Sequence, residues 1–98
     1  MKATRQGFSA YYIIETGGDF MTVKFYSRPN CELCSKGMAL LKLVQEDATF
    51  TIEVLNIEED DALHERFMVM IPVVEHAGEI IQYGRLDYDT LYEALVAR

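Results

Sequence analysis

The sequence predicts one α/β domain: a mixed four-stranded sheet, built in the order β-α-β-α-β-β-α, with helices on both faces. Three observations lead there. β-prone apolar runs begin at Val23, Phe50 and Pro72. Between the first two, apolar residues recur at helical spacing. The third run turns at Ala77-Gly78 into Glu79-Ile80-Ile81-Gln82-Tyr83, as a hairpin does. Strands joined through a helix should be parallel with a right-handed crossover, and the hairpin antiparallel.

Taken in order, Val23–Tyr26 reads as a short buried strand. Ser27-Arg28-Pro29-Asn30 is turn chemistry, and Ser27 or Asn30 is the expected cap of the helix that follows. That helix runs from Cys31 to about Gln45, with Leu33, Leu40, Leu41 and Val44 at helical spacing. Gly37 inside it costs about 1 kcal/mol against Ala, which points to close packing on the sheet. Phe50–Leu55 alternates and then runs apolar, as a second strand does. Residues 58–67 read as a short helix whose acidic start, Glu58-Glu59-Asp60-Asp61, suits the positive end of the helix dipole. Pro72–Glu75 and Glu79–Tyr83 form the hairpin. Gly84-Arg85-Leu86-Asp87 breaks the pattern, and Asp87 or Asp89 caps a last helix carrying Leu91, Leu95 and Val96.

The chain has 98 residues, half of them apolar, and a formal charge of −7. That length holds one domain. From Met21 onward there are seven Lys/Arg against fourteen Asp/Glu, so the acidity belongs to the body of the domain. An acidic surface repels nucleic acid, and no apolar run approaches the roughly 20 residues of a membrane span. Neither nucleic-acid nor membrane partners are therefore expected; the chain is expected to be a monomer.

Residues 1–20 read differently from the rest. Lys2 and Arg5 precede an apolar stretch, Ala10 to Ile14, that is too short and too aromatic for a signal sequence. Met21 is a second natural start. Gly17-Gly18-Asp19 can be encoded by purine-rich codons resembling a bacterial ribosome-binding sequence just upstream of it. Residues 1–20 are thus expected to be an extension to a domain spanning 21–98. It is either translated upstream sequence or an appendage with Tyr11–Ile14 as an extra strand or apolar flap.

Cys31 and Cys34 are the only cysteines. A bridge between them closes a tiny loop and removes little entropy from the unfolded chain, so it is a poor staple. The usage fits a reducing, cytoplasmic compartment, where a Cys-x-x-Cys is reactive or metal-binding. A zinc site wants four ligands, and His64 and His76 are the only histidines available, so no metal is expected. On this frame Cys31 stands at the start of the helix, where unsatisfied N–H groups and the dipole favour a thiolate. Cys34 lies one turn in. That arrangement makes Cys31 the nucleophile and Cys34 the resolving thiol. The plainer readings are inert thiols for the pair, a solvated cation for Arg28, and core filling for Tyr26, Met68 and Met70.

From Met21 to Leu95 the chain resembles the glutaredoxin-like proteins of the thioredoxin fold, closest to the short bacterial type with a Cys-x-Leu-Cys opening. The residues that carry this are Tyr26-Ser27-Arg28-Pro29-Asn30-Cys31-Glu32-Leu33-Cys34, then Asn56-Ile57-Glu58, Ile71-Pro72-Val73-Val74, and Gly84 before the last helix. The resemblance implies a thioredoxin fold with a cis Pro72 facing the cysteines. It also implies that the Ile71 backbone pairs with a bound thiol substrate, and that Arg28, Pro29, Pro72 and Gly84 complete the substrate site. It further implies thiol–disulfide oxidoreductase activity on protein or small-molecule disulfides, with no prosthetic group. Electrons would come from glutathione or a thioredoxin-reductase system.

The chain departs from familiar dithiol glutaredoxins. Glu32-Leu33 replaces Pro-Tyr between the cysteines, and a carboxylate there opposes thiolate formation by a screened, small amount. Arg28 stands where those proteins have a lysine, and Gly84-Arg85-Leu86-Asp87 is a reduced form of their glutathione-carboxylate site. The main rival is a non-catalytic thioredoxin-fold adaptor. An arsenate-reductase-like or regulator relative would carry an extra helical segment. An iron–sulfur carrier would have a single cysteine followed by Gly-Phe-Ser.

Overall fold

The computed structural model describes the backbone of residues 11–14 and the whole of residues 21–97. The rest of the expected extension, 1–10 and 15–20, lies outside the described residues. The elements are β1 (Tyr11–Ile14), β2 (Thr22–Ser27), α1 (Glu32–Gln45), β3 (Thr51–Asn56), a 3-10 turn (Ile57–Glu59), α2 (Asp61–Phe67), β4 (Val73–His76), β5 (Glu79–Tyr83) and α3 (Tyr88–Leu95). The four expected strands are all present. A fifth, β1, pairs antiparallel with β3, giving the sheet order β1-β3-β2-β4-β5. Of the two readings of Tyr11–Ile14 as an appendage, the extra strand is the one observed.

β2 and β3 are parallel, while β4 runs antiparallel to both β2 and β5. Period-two alternation then sorts the side chains. Val23, Phe25, Ile52 and Val74 face a cluster completed by Leu41 and Val44 of α1 and Leu91 and Leu95 of α3. Tyr26, Leu55 and Val73 face a second cluster completed by Phe67, with Leu63 of α2 packed against it. Helices therefore cover both faces, as expected.

Local chemistry explains most boundaries, and several differ from the sequence reading. Neither Ser27 nor Asn30 caps α1; Cys31 does. Asn30 instead takes a positive φ of 59°, a left-handed conformation Asn tolerates better than most residues. The expected helix over 58–67 is divided. Asn56 caps the 3-10 turn, and Asp60 then adopts an extended φ of −146° and caps α2 through the Leu63 N–H. An Asp that hydrogen-bonds the backbone from a non-helical conformation both ends one helix and starts the next. Asp87 caps α3 through the Thr90 N–H at 2.8 Å. The hairpin turn has positive φ at both Ala77 and Gly78, as a type I′ turn requires.

Gly37 marks a close approach, though not mainly to the strands. A Cβ there would lie 2.8 Å from Leu86 Cδ1 and 3.1 Å from Pro72 Cγ. The missing side chain lets α1 sit against the loop before α3 and the proline before β4.

Candidate functional site

β2 and β3 end side by side, Ser27 opposite Asn56, and their parallel direction puts the following loops at one end of the sheet. The first of those loops delivers Cys31. It is the residue before α1, in an extended conformation with φ −117° and ψ 104°, and its sulfur accepts the Cys34 N–H at 3.2 Å. A cap normally uses an oxygen from Ser, Thr, Asp or Asn. Here the sulfur takes that place, so the group that reads as reactive also satisfies an orphan donor of the helix. Cys34, one turn in, is buried, with 5 % of its surface exposed, whereas Cys31 is half-buried. The two are joined as a disulfide with Cα atoms 5.1 Å apart, within the usual range for a bridge.

The cysteines stand between two surfaces. On one side is an open cavity of about 860 Å³. Arg28, Pro29, Cys31 and Cys34 line it, with Phe25, Met38 and Val54 supplying apolar surface and Ser27 and Ser35 hydroxyls. On the other side, Cys34 is part of the buried cluster of Tyr26, Ile57, Phe67, Ile71 and Val73, against which Cys31 and Met70 also pack. The Ile71–Pro72 peptide bond is cis, the isomer the resemblance implied. Pro72 is buried beside Gly37, one turn beyond Cys34.

The structure thus gathers most of the residues singled out in the sequence. Arg28 and Pro29 share the cavity with both cysteines, and Ile71 shares their buried cluster. Gly84 reaches the site through Pro72: its N–H donates to the Pro72 carbonyl at 2.8 Å, and its φ of 75° is one that glycine adopts freely. Sequence reasoning missed Ser35 and Met38. Both were within reach of helical periodicity, since each lies four residues after a cysteine.

Tyr26 is more than core filling. Its hydroxyl donates to Glu75 Oε1 at 2.5 Å, and its ring packs on Phe67 at 4.5 Å between centroids. Arg66 lies over the other aromatic, its guanidinium carbon 4.5 Å from the Phe67 ring centre. Burial pushes the Tyr26 phenol well above its ordinary range, and the bond to Glu75 and that carboxylate's charge push it further. Tyr26 therefore acts as a neutral donor that satisfies Glu75 behind the cysteines. Among the described residues, no group of three or more His, Cys, Asp or Glu is placed to hold a metal ion, and no helix is long and apolar enough to cross a membrane.

Residues 22–96 match a family described as Glutaredoxin-like domain (DUF836). A Dictyostelium discoideum protein described as glutaredoxin-like is 31 % identical over 78 residues, which cover 74 % of this chain and 72 % of that protein. A Nitrosomonas europaea protein solved in solution superposes with a TM-score of 0.69 at 24 % identity, over 84 % of this chain and 99 % of its own. That likeness supports the thioredoxin-like fold.

Proposed function

The chain belongs to the Glutaredoxin-like domain (DUF836) family, and from that premise we propose that it is a thiol–disulfide oxidoreductase working through Cys31 and Cys34. The observation that carries this reading is the position of the Cys31 sulfur as the cap of α1, bridged to a buried Cys34. The N–H that Cys31 accepts and the positive end of the helix dipole both favour a thiolate over a thiol once the pair is reduced.

The reaction follows from that placement. In the reduced protein the Cys31 thiolate attacks one sulfur of a substrate disulfide. That bond breaks, and the other substrate sulfur leaves as a thiolate that takes up a proton. Cys34 then loses its proton and attacks Cys31 in the mixed disulfide, releasing the second substrate thiol. Two electrons have passed to the substrate, and the protein is left with the Cys31–Cys34 disulfide. A thiol donor, glutathione or a thioredoxin-reductase system, returns it to the dithiol. A reducing compartment such as the cytoplasm would sustain that cycle. Ile71 and Pro72 would present backbone to the substrate, and Arg28 and Pro29 would flank the attacking sulfur.

Titration of the pair in glutathione buffers tests this, with Cys34→Ser as control. We expect a potential between about −180 and −280 mV, and a mixed disulfide that accumulates on Cys31 in the control. Thiols that exchange with neither glutathione nor a reductase, or that react no faster than an ordinary cysteine, would sink the catalytic reading and leave the adaptor.

A further inference from the structure

The surface around the cysteines has its own chemistry, and this inference rests on the oxidoreductase reading above. Between α2 and Pro72 the chain exposes apolar side chains in succession. Val69 is 86 % exposed and Met68 51 %, and Met70, half-buried, packs against the cluster that holds Cys34. Contiguous exposed apolar patches mark interaction surfaces, and Met70 ties this stretch to the cluster that holds Cys34. The neighbouring rim is acidic. The loop after β3 emerges at the same end of the sheet as Cys31, and Ile57 anchors it in the cysteine cluster. From it come Glu58, Glu59, Asp60 and Asp61, with Glu58, Glu59 and Asp61 exposed. Glu32 adds a further exposed carboxylate between the two cysteines. Of the cations nearby, Lys36 is paired with Glu32 at 3.8 Å, Arg28 lies on the cavity side, and Arg66 of α2 is held over the Phe67 ring.

We propose that the site's substrate is a disulfide in a polypeptide, presented as an extended segment with an apolar side chain against Met68–Met70 and Lys or Arg side chains toward Glu58 and Asp61. Glutathione disulfide, which is anionic and carries no apolar side chain, is the disfavoured substrate. The two features act on different steps. The acidic rim and the body's net negative charge steer cationic segments in and slow anionic ones. The apolar ledge holds the encounter once formed.

The test compares the reduced full chain with three probes: a disulfide-bridged peptide with Leu and Lys around its cysteines, a peptide of equal length with Asp in place of Lys, and glutathione disulfide. Second-order rates are read in low and high salt. We expect the basic peptide to react about tenfold faster than the acidic one at low salt. The gap should close as the screening length shrinks to about 3 Å at 1 M salt. Glu58→Lys with Asp61→Lys should narrow the gap, whereas Met68→Ser with Val69→Ser should slow both peptides and leave their ratio. All of these positions are exposed, so the fold is expected to survive, and a thiol count with far-ultraviolet dichroism checks that it does. Equal rates for the two peptides, or glutathione disulfide matching the basic one, would overturn the proposal while leaving the oxidoreductase reading intact. Reaction with none of the three would overturn both.

Discussion

On the face covered by α1 and α3, ten described apolar side chains are buried together, and Gln45 of α1 is buried with them, its amide donating to the Phe50 carbonyl. On the face covered by α2 the cluster has seven, including Tyr26 and Cys34. The difference follows from helix length. α2 has seven residues, about 10 Å of helix, against strands of six residues that run roughly 20 Å. It covers the end of the sheet near the cysteines and little more. Beyond its reach the same face carries a polar row, Lys24 between Glu53 of β3 and Glu75 of β4. The larger cluster carries most of the apolar burial. The smaller one holds Cys34 and Ile71, while the cavity beside Cys31 is lined by Phe25 of the larger cluster and by Met38 and Val54 packed against it.

The sharpest way to break that division is to damage each face and read stability and reactivity separately. Leu91 and Phe67 are both fully buried, one in each cluster. Leu91→Ala should cost about 2–5 kcal/mol and Phe67→Ala about 3–5 kcal/mol, by urea denaturation. The thiol-exchange rate of Leu91→Ala, measured well below its unfolding midpoint, should match the parent's. Phe67→Ala should slow exchange, because Tyr26, Ile71 and Cys34 lose a packing partner. Equal slowing by both would mean the two faces do not divide the labour.

Gly37 joins the two regions, since its neighbours are Leu86 of the apolar cluster and Pro72 beside the site. Gly37→Ala gains about 1 kcal/mol of helix propensity and is opposed by a crowding cost of about 1–3 kcal/mol. Leu86 Cδ1 is the end of a flexible side chain and can yield; the proline ring cannot. We expect a net loss of about 1 kcal/mol in urea, with slower exchange as Pro72 is displaced. A variant more stable than the parent at an unchanged rate would show that the approach is looser than the distances imply.

Tyr26→Phe removes the hydroxyl that satisfies Glu75 and should cost about 1–2 kcal/mol at neutral pH. The pH dependence sharpens it. The Tyr26 phenol is held protonated in the fold above the usual tyrosine range. Above about pH 10 the unfolded chain releases that proton while the folded chain keeps it. The unfolded state then binds fewer protons, so stability falls as pH rises. Tyr26→Phe should flatten that alkaline fall, and an unchanged slope would show that Tyr26 is not its source.

How much of this was legible beforehand depended on the range of the interaction. The order of elements along the chain, the hairpin and the α1 span follow from local apolar spacing, and the Cys31–Cys34 pair announces itself. The α1 cap differs from the expected one because cap preferences count oxygen acceptors, and here the Cys31 sulfur takes the place of Ser27 or Asn30. The division of 58–67 was written in Asn56 and Asp60, two capping residues that the acidic run concealed. Other features depend on contacts distant in sequence. Leu86 against Gly37, Tyr26 on Glu75 and Gly84 donating to Pro72 required the fold to bring them together. The fifth strand was one of two readings of Tyr11–Ile14, and only pairing with the β3 edge distinguishes a strand from a flap.

The smallest effect expected lies far from both clusters, at the tip of the hairpin. Ala77 has φ 55° and Gly78 φ 80°, the two left-handed positions of a type I′ turn. Glycine occupies such a position without strain, whereas Ala pays for its Cβ, about 1 kcal/mol. Asn tolerates the conformation better, and Asn-Gly is the preferred pair for this turn. Ala77 is exposed, so replacement disturbs no packing. Ala77→Asn should therefore raise the urea midpoint by the equivalent of about 0.5–1 kcal/mol, with no change in thiol exchange. A change in exchange would mean that the hairpin, through β4 and the peptide bond before it, is coupled to the cysteines more tightly than the separation of the two regions allows.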